Sequence, residues 1–474
     1  MGKELSFLLL ALVLCHGLTL TTAYKGDKQW RKERETVEEE GDRRTEDRFL
    51  MPRSRPVMRT DAGEMRVVRS LRVRIIEKPL HIGFITMEPQ SLLIPQYLDS
   101  SLILFVRRGE ARVGCIYNDE MVERRLKIGD VYHIPAGSTF YILNPGEGQR
   151  LQIICSIDPS ESMNLGTFQS FFIGGGTYPT SVLAGFSPET LSTAFNVSVS
   201  RLKEFLMRQQ DGPIVHVAPS HAPSIWTRLS QLQVEDRLKQ VKRIVQGEVE
   251  QVKEWSWWNL FGMFSRNGGK IFKDKAPHSY NIYKRSPDFR NDYGWSVAVD
   301  ESDYKPLKDS GTGIYLVNLT AGSMMAPHVN PRATEYGIVL RGTGRIQIVF
   351  PNGTLAMDTK VKEGDVFCVP RYFAFCQIAS RSSPFEFFGF TTSSHKNMPQ
   401  FLAGANSLLH ALRTPELAAA FGVTEERMRR FIDAQNEAVI LPSASAAPAG
   451  DEEESEAVPE VIKSFGNDMI MGSD

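Results

Sequence analysis

Gly129-Asp130-Val131-Tyr132-His133-Ile134-Pro135 returns later in the chain as Gly364-Asp365-Val366-Phe367-Cys368-Val369-Pro370. Upstream, Leu93-Ile94-Pro95 is echoed by Met325-Ala326-Pro327, and Gly109 by Gly342. Downstream the echo turns helical. Ala194-Phe195-Asn196-Val197 pairs with Ala420-Phe421-Gly422-Val423, and at the same offset Arg201, Phe205 and Leu206 pair with Arg427, Phe431 and Ile432. Those last positions share one helical face. Each half is a run of strands followed by helices, and the period is far too long for a solenoid, so the chain reads as two similar domains.

A chain of 474 residues with 42% apolar residues can bury two cores. Its 55 basic and 56 acidic residues nearly cancel, which leaves no electrostatic case for nucleic acid. Lys3 precedes the apolar run Leu5–Leu18, and Thr21-Thr22-Ala23 offers small residues for cleavage, so residues 1–23 read as a secretory signal peptide. The apolar run is shorter than the ~20 residues a bilayer requires. Secretion gives meaning to three Asn-x-Ser/Thr sequons, at Asn196, Asn318 and Asn352. Asn196, in a helix-initiating loop, and Asn352, in the hairpin turn Pro351-Asn352-Gly353, are expected to be more exposed than Asn318 in the strand Gly313–Leu319. Removing the signal takes away Cys15 and leaves Cys115, Cys155, Cys368 and Cys376, two per repeat. Buried thiols are the first reading, and a cross-strand bond between Cys368 and Cys376 is the alternative.

Residues 24–51 are almost wholly polar and read as a disordered charged arm. Apolar runs at Arg72–Ile76, Leu102–Val106, Ala111–Ile116, Asp130–Ile134 and Leu151–Ile154, with turn residues between, predict a β-sandwich or barrel. A helix start at Ser187-Pro188-Glu189 opens a helical stretch to about Gln210, closing a first domain over 52–210. A linker over 211–275 holds the amphipathic run Ile225–Val252 and then Trp255, Trp257, Trp258, Phe261 and Phe264. That cluster reads as packing against a neighbouring barrel, with weak membrane contact through the three tryptophans as the second reading. The second domain spans 276–441, and 442–474 is a disordered acidic tail.

The Gly-x5-Pro hairpins of both repeats resemble the cupin barrel, whose first motif is G-x5-H-x-H-x4-E-x6-G and whose second is G-x5-P-x-G-x2-H-x3-N. Gly322, His328, Asn330, Glu335 and Gly342 keep every spacing of the first motif, with Asn330 in place of a histidine. In the second motif Gly364 and Pro370 stay, while Tyr372 replaces Gly, Phe375 replaces His and Ala379 replaces Asn. The first repeat keeps Gly129, Pro135, Gly137 and Asn144, with Phe140 at the histidine position and Gln96 and Leu98 where the two histidines of the first motif stand. Two such repeats in a secreted chain resemble the 7S seed globulins, and Tyr283-Lys284-Arg285-Ser286-Pro287-Asp288-Phe289 with Tyr293-Gly294-Trp295-Ser296 is similar to the vicilin-like seed storage proteins. The resemblance covers about 52–440. It implies a mainly β fold of two jelly-roll barrels, each followed by a helical arm, assembled as homotrimers and stored in protein storage vacuoles, with an extracellular destination second.

Only His328, Asn330 and Glu335 survive of a cupin metal box, so no metal, cofactor or catalytic residue is expected. The Cys-Pro-His of copper-binding vicilins reads Ala326-Pro327-His328 here, with Phe373 at the remaining histidine, and that site is broken too. His133 is a lone strand histidine, expected in the core. Phe140, Leu98, Phe373 and Phe375 line the barrels as a filled core, or else as a small apolar pocket. No hydrolase or kinase motif is present. The reading is a nutrient reservoir protein without catalytic activity, with a sugar-binding or small-molecule-binding, membrane-associated bicupin as the alternative.

Overall fold

The computed structural model describes residues 49–217 and 277–448, apart from short stretches at 72–74, 77, 118–119, 161, 163–166 and 444–446. The signal peptide, nearly all of the charged arm, the tryptophan-rich linker and the acidic run of the tail lie outside the described residues.

The first half runs β1 (Arg55–Thr60), β2 (Gly63–Val68), β3 (His81–Met87), β4 (Ser91–Leu98), β5 (Leu102–Arg108), β6 (Glu110–Tyr117) and β7 (Glu120–Lys127). It continues with β8 (Asp130–Ile134), β9 (Phe140–Asn144), β10 (Leu151–Ile157) and β11 (Ser170–Phe172). Helices α1 (Pro188–Phe195) and α2 (Val199–Leu206) and the short β12 (Ile214–His216) close it. The second half opens with β13 (Tyr280–Asn281), β14 (Phe289–Asn291), β15 (Gly294–Val299), the turn-like α3 (Leu307–Ser310) and β16 (Gly313–Leu319). β17 (Ser323–Val329), β18 (Glu335–Arg341), β19 (Thr343–Val349), β20 (Leu355–Lys362) and β21 (Val366–Val369) follow. Then come β22 (Ala374–Ala379), β23 (Phe385–Thr391), β24 (Gln400–Phe401), α4 (Leu408–Ala411), α5 (Pro415–Ala420), α6 (Glu425–Ile432) and β25 (Ile440–Pro442).

These strands make four antiparallel sheets, two per barrel. The inner sheets are β1-β2-β3-β10-β5-β8-β13 and β14-β15-β16-β23-β18-β21; the outer sheets are β11-β4-β9-β6-β7 and β20-β19-β22-β17-β24. The sequence dictates which sheet lies where. β18 is buried along Glu335–Leu340 and is apolar from Tyr336 onward, because one face lines its own barrel and the other meets the first barrel. β19 alternates buried and half-buried residues, as a strand with one wet face must. Between the barrels a shared apolar layer joins Ile103, Phe105 and Ile154 to Leu316, Ile338 and Phe388. Phe105 stacks on Phe388 at 4.0 Å.

The two barrels also exchange backbone. Leu50 bridges to Phe367, the Met51 amide donates to Val366 O at 2.8 Å, and the Cys368 amide donates to Phe49 O at 2.9 Å. Reciprocally, Tyr280 and Asn281 pair with Val131 and Asp130, and the Ile282 amide donates to Gly129 O at 2.9 Å. The chain entering each barrel thus completes the edge strand of the other, satisfying backbone groups that would otherwise stand open.

This exchange moves the expected boundaries. Phe49 is 2% exposed, so the arm gives way to structure before residue 51. β12 pairs with β4, which carries the first domain to His216, past 210. β25 pairs with β17 and Ala447 is buried, which carries the second domain past 441. The expected strand Arg72–Ile76 is corrected where described: Ile75 lies in a turn and is exposed, while Ile76 leaves strand geometry to enter the inter-barrel layer. Leu102–Val106, Ala111–Ile116, Asp130–Ile134 and Leu151–Ile154 all lie in strands.

In the arms, Ser187 caps α1 and Ser198 caps α2. Asn196 ends α1 in the left-handed region at φ 52°, and Gly422 repeats that conformation at φ 62°. Asn196 and Asn352 are exposed and Asn318 is half-buried. The four cysteines among the described residues are free and buried. Cys368 faces the other barrel from an inner sheet, whereas Cys376 lies on an outer sheet 3.6 Å from Gln347 Oε1, so the cross-strand bond does not form.

Candidate functional site

His328 ends the buried part of β17, Asn330 opens the loop after it, and Glu335 begins β18, so the chain folds the three back on one another at one end of the second barrel. His328 is 2% exposed and pairs across the sheet with Phe375 on one side and Phe401 on the other, their rings 4.1 and 5.2 Å from the imidazole. Its Nδ1 lies 2.8 Å from Ala326 O, which requires that nitrogen to carry the proton and donate. Burial drives its pKa down to about 4, so the ring is neutral.

Asn330 is consumed by the loop. Its Oδ1 accepts from the Arg332 and Ala333 amides at 2.9 and 3.1 Å, and its Nδ2 donates to Glu335 Oε1 at 2.8 Å. The Tyr372 amide donates to Asn330 O at 3.0 Å, tying this loop to the β21–β22 turn. Tyr372 stands where the motif has glycine and still adopts φ 72°, close to the 77° of Gly137 in the first barrel. The turn geometry is kept at a cost of about 1–2 kcal/mol for a residue with a side chain. Phe375, rather than Phe373, lies beside His328; Phe373 packs against Phe49 and Phe350 instead.

Burial pushes the Glu335 carboxyl up to about 7, and the Asn330 hydrogen bond offsets only part of that. The buried Tyr315 hydroxyl has no hydrogen-bond partner among the described residues; burial first, then Glu335, raises its pKa. Between roughly pH 4.5 and 7 the fold holds a proton on Glu335 that the unfolded chain has lost. That contribution to stability is full below the unfolded value and is lost as pH rises through 7. Glu335→Gln is therefore expected to raise stability at pH 8 by on the order of 3 kcal/mol. The gain should vanish near pH 4.5, as read by urea midpoints at the two pH values. An equal effect at both would contradict it. His328 and His133, both pulled down to about 4 chiefly by burial, act in the opposite sense, losing stability as pH falls from about 6.5 to 4.

The first barrel repeats the arrangement without titratable groups. Gln96 pairs with Phe140 and Phe172 as His328 pairs with Phe375 and Phe401. Gln96 is 2% exposed and its Oε1 has no hydrogen-bond partner among the described residues. Leu98 and Phe140 belong to the packed interior. His133 is buried at the inter-barrel face, away from this site, with Lys78 adding to the depression of its pKa. A charged cleft of about 560 Å³ lies where β13 joins the first barrel, lined among others by Arg125, Lys127, Asp130 and Lys284.

These residues do not fit a cupin metal. One imidazole, a carboxyl held partly neutral and an amide oxygen already accepting two amides fall short of three good ligands. Among the described residues no group of three or more His, Cys, Asp or Glu is placed to hold one. The sequence reading found His328, Asn330 and Glu335 but missed Tyr315, Phe401 and Phe49, which arrive from distant segments and carry no local signal.

The cupin family model matches residues 51–203 and 280–429, one match per barrel. Over 417 residues the chain is 57% identical to the vicilin-like seed storage protein At2g28490 of Arabidopsis thaliana, covering 84% of this chain and 81% of that one. The chain belongs to the vicilin-like branch of the cupin family. A second Arabidopsis thaliana vicilin-like seed storage protein, At4g36700, is 30% identical over 402 residues, 83% of this chain and 74% of its own length. Among solved structures, vicilin from Corylus avellana superposes on this vicilin-like chain with a TM-score of 0.67 at 22% identity, covering 84% of this chain and 99% of that one. Vicilin from Capsicum annuum gives 0.67 at 21% identity, covering 82% and 97%. These two likenesses bear on the fold, and in this vicilin-like chain the fold is two cupin barrels.

No helix among the described residues is long and apolar enough to cross a membrane. The membrane reading rested on Trp255, Trp257 and Trp258, which lie outside the described residues.

Proposed function

We propose that this protein is a seed storage globulin whose role is its own amino acids, delivered through the secretory pathway to a storage vacuole. The observation that carries the reading is the 57% identity, over most of both chains, to a vicilin-like seed storage protein. The site chemistry agrees, since the polar groups of the second barrel are used to close loops and pack rings. Quantitative mass spectrometry of maturing and germinating seed tests it. High abundance that collapses after germination is the expected result, and a low, persistent level would overturn it.

Self-assembly as a trimer through the helical arms belongs to the same proposal. Phe195 and Phe421 are 52% and 60% exposed, and Phe205 and Phe431 are 73% and 72% exposed, at equivalent positions of the two arms. Large apolar residues left in water at matched sites of a duplicated domain support head-to-tail contact between copies. Phe205→Asp combined with Phe431→Asp is expected to give monomers by light scattering, with both barrels folded. Persistent trimers would contradict arm-mediated assembly.

A further inference from the structure

The segment Phe49–Met51 belongs by sequence to the first half, yet it is built into the second barrel. Phe49 sits edge-on against Phe350 and Phe373 at 6.3 and 5.7 Å, inside the second barrel's own apolar cluster. Two backbone hydrogen bonds hold it to β21, through the Met51 and Cys368 amides. A short covalent link joins this strap to β1. Residues 52–54 have no strand partner and lead straight into Arg55, and Arg53 is exposed. On the barrel side, Arg66 anchors Ser54, with Nε donating to Oγ at 3.0 Å and Nη2 to the carbonyl at 2.7 Å.

We propose that the Arg53–Ser54 bond is a commitment site, at which an arginine-directed endopeptidase releases the strap and opens the second barrel to further digestion. Hydrolysis adds one water across the amide, leaving a carboxylate on Arg53 and an ammonium on Ser54. Arg66 keeps the new Ser54 terminus docked on the first barrel, and only the strap leaves. Tethered, the strap faces β21 at an effective concentration in the millimolar range; cut, it is diluted to that of the protein itself. At micromolar protein this lowers occupancy on the order of 10³-fold. Cuts in the charged arm upstream of Phe49 leave the strap tethered, so they do not have this effect. Arg55 offers a poorer bond, because Pro56 follows it with a fixed φ and a tertiary amide. The proposal deepens the storage reading, and only its physiological use rests on that reading.

The Cys368 amide reports the strap directly. In the full chain treated briefly with trypsin, intact mass should show the Ser54 terminus. Hydrogen exchange at Cys368 should then accelerate up to 10³-fold, limited by the opening of β21 itself, before fragments of the second barrel appear. Arg53→Gln should keep Cys368 protected under the same digestion and slow fragmentation of the second barrel at least tenfold. Phe49→Ala added to Arg53→Gln should restore fast exchange without a cut. Unchanged Cys368 exchange after cleavage, no cleavage at Arg53, or equal fragmentation of the Arg53→Gln protein would each overturn the proposal. Because this readout needs no seed measurement, it fails or stands separately from the storage reading.

Discussion

Gly337→Ala is expected to lower the melting temperature of the second barrel by roughly 6–12 °C, corresponding to about 3 kcal/mol. A β-carbon at Gly337 would meet the Phe367 ring at 2.1, 2.5 and 2.5 Å. That ring cannot retreat, since Phe367 is fully buried and packs edge-on against Phe387 at 5.9 Å. The barrel interior therefore has a large ring on β21 filling the space that a missing side chain on β18 leaves. The nearest obstacles at Gly337 are all atoms of one side chain, so the cause can be isolated. Phe367→Leu in the Gly337→Ala background should recover part of the loss, although Phe367→Leu alone destabilises by leaving a cavity. Scanning calorimetry of the four proteins checks this, and an unshifted transition in Gly337→Ala would refute the packing argument.

Cleavage of the linker anywhere between 218 and 276 is expected to leave both halves in one particle. The exchanged strands cross in both directions, and the apolar layer between the inner sheets is continuous. Polar contacts reinforce it: the Tyr336 hydroxyl meets Ser70 Oγ at 3.1 Å and accepts from the Leu80 amide at 3.1 Å. Arg107 donates to Leu340 O at 2.7 Å and pairs with Glu363. Lys78 donates to Thr312 Oγ1 at 3.2 Å and to Ser310 O. The nicked protein should run as a single peak in gel filtration and separate into two fragments only in denaturant. Two peaks without denaturant would mean that the covalent linker, and not the interface, holds the barrels together.

The duplication was legible because the turn-and-strand segment Gly129–Pro135 recurs at Gly364–Pro370, and the strands expected at Asp130–Ile134 and Gly313–Leu319 match end to end. The meeting of His328, Asn330 and Glu335 was legible because the motif spacing spans the end of one strand, the loop after it and the first residue of the next. What the sequence hid was non-local. Nothing in Phe49-Leu50-Met51 distinguishes a strap from the last residues of a polar arm, since its partners are more than 300 residues away. Tyr372 was misleading in another way, because a residue that breaks the motif preserves the left-handed turn that the motif's glycine encodes.

The crossed edges also set a timetable for synthesis. The last strand that the first half contributes to its own inner sheet ends at Ile157, but the second barrel's strands that cover that sheet's outer face finish only at Thr391. The ribosome adds about 5–20 residues per second, so the 234 residues from 157 to 391 take roughly 12–47 s. Throughout that interval Ile103 and Phe105 face solvent, the edge of β8 stands unpaired until Tyr280 emerges, and Phe49 has no barrel to enter. A nascent chain in this state carries a bare apolar face and an open strand edge together, the two features that make incomplete folds prone to aggregate, and both are covered only when the second barrel arrives.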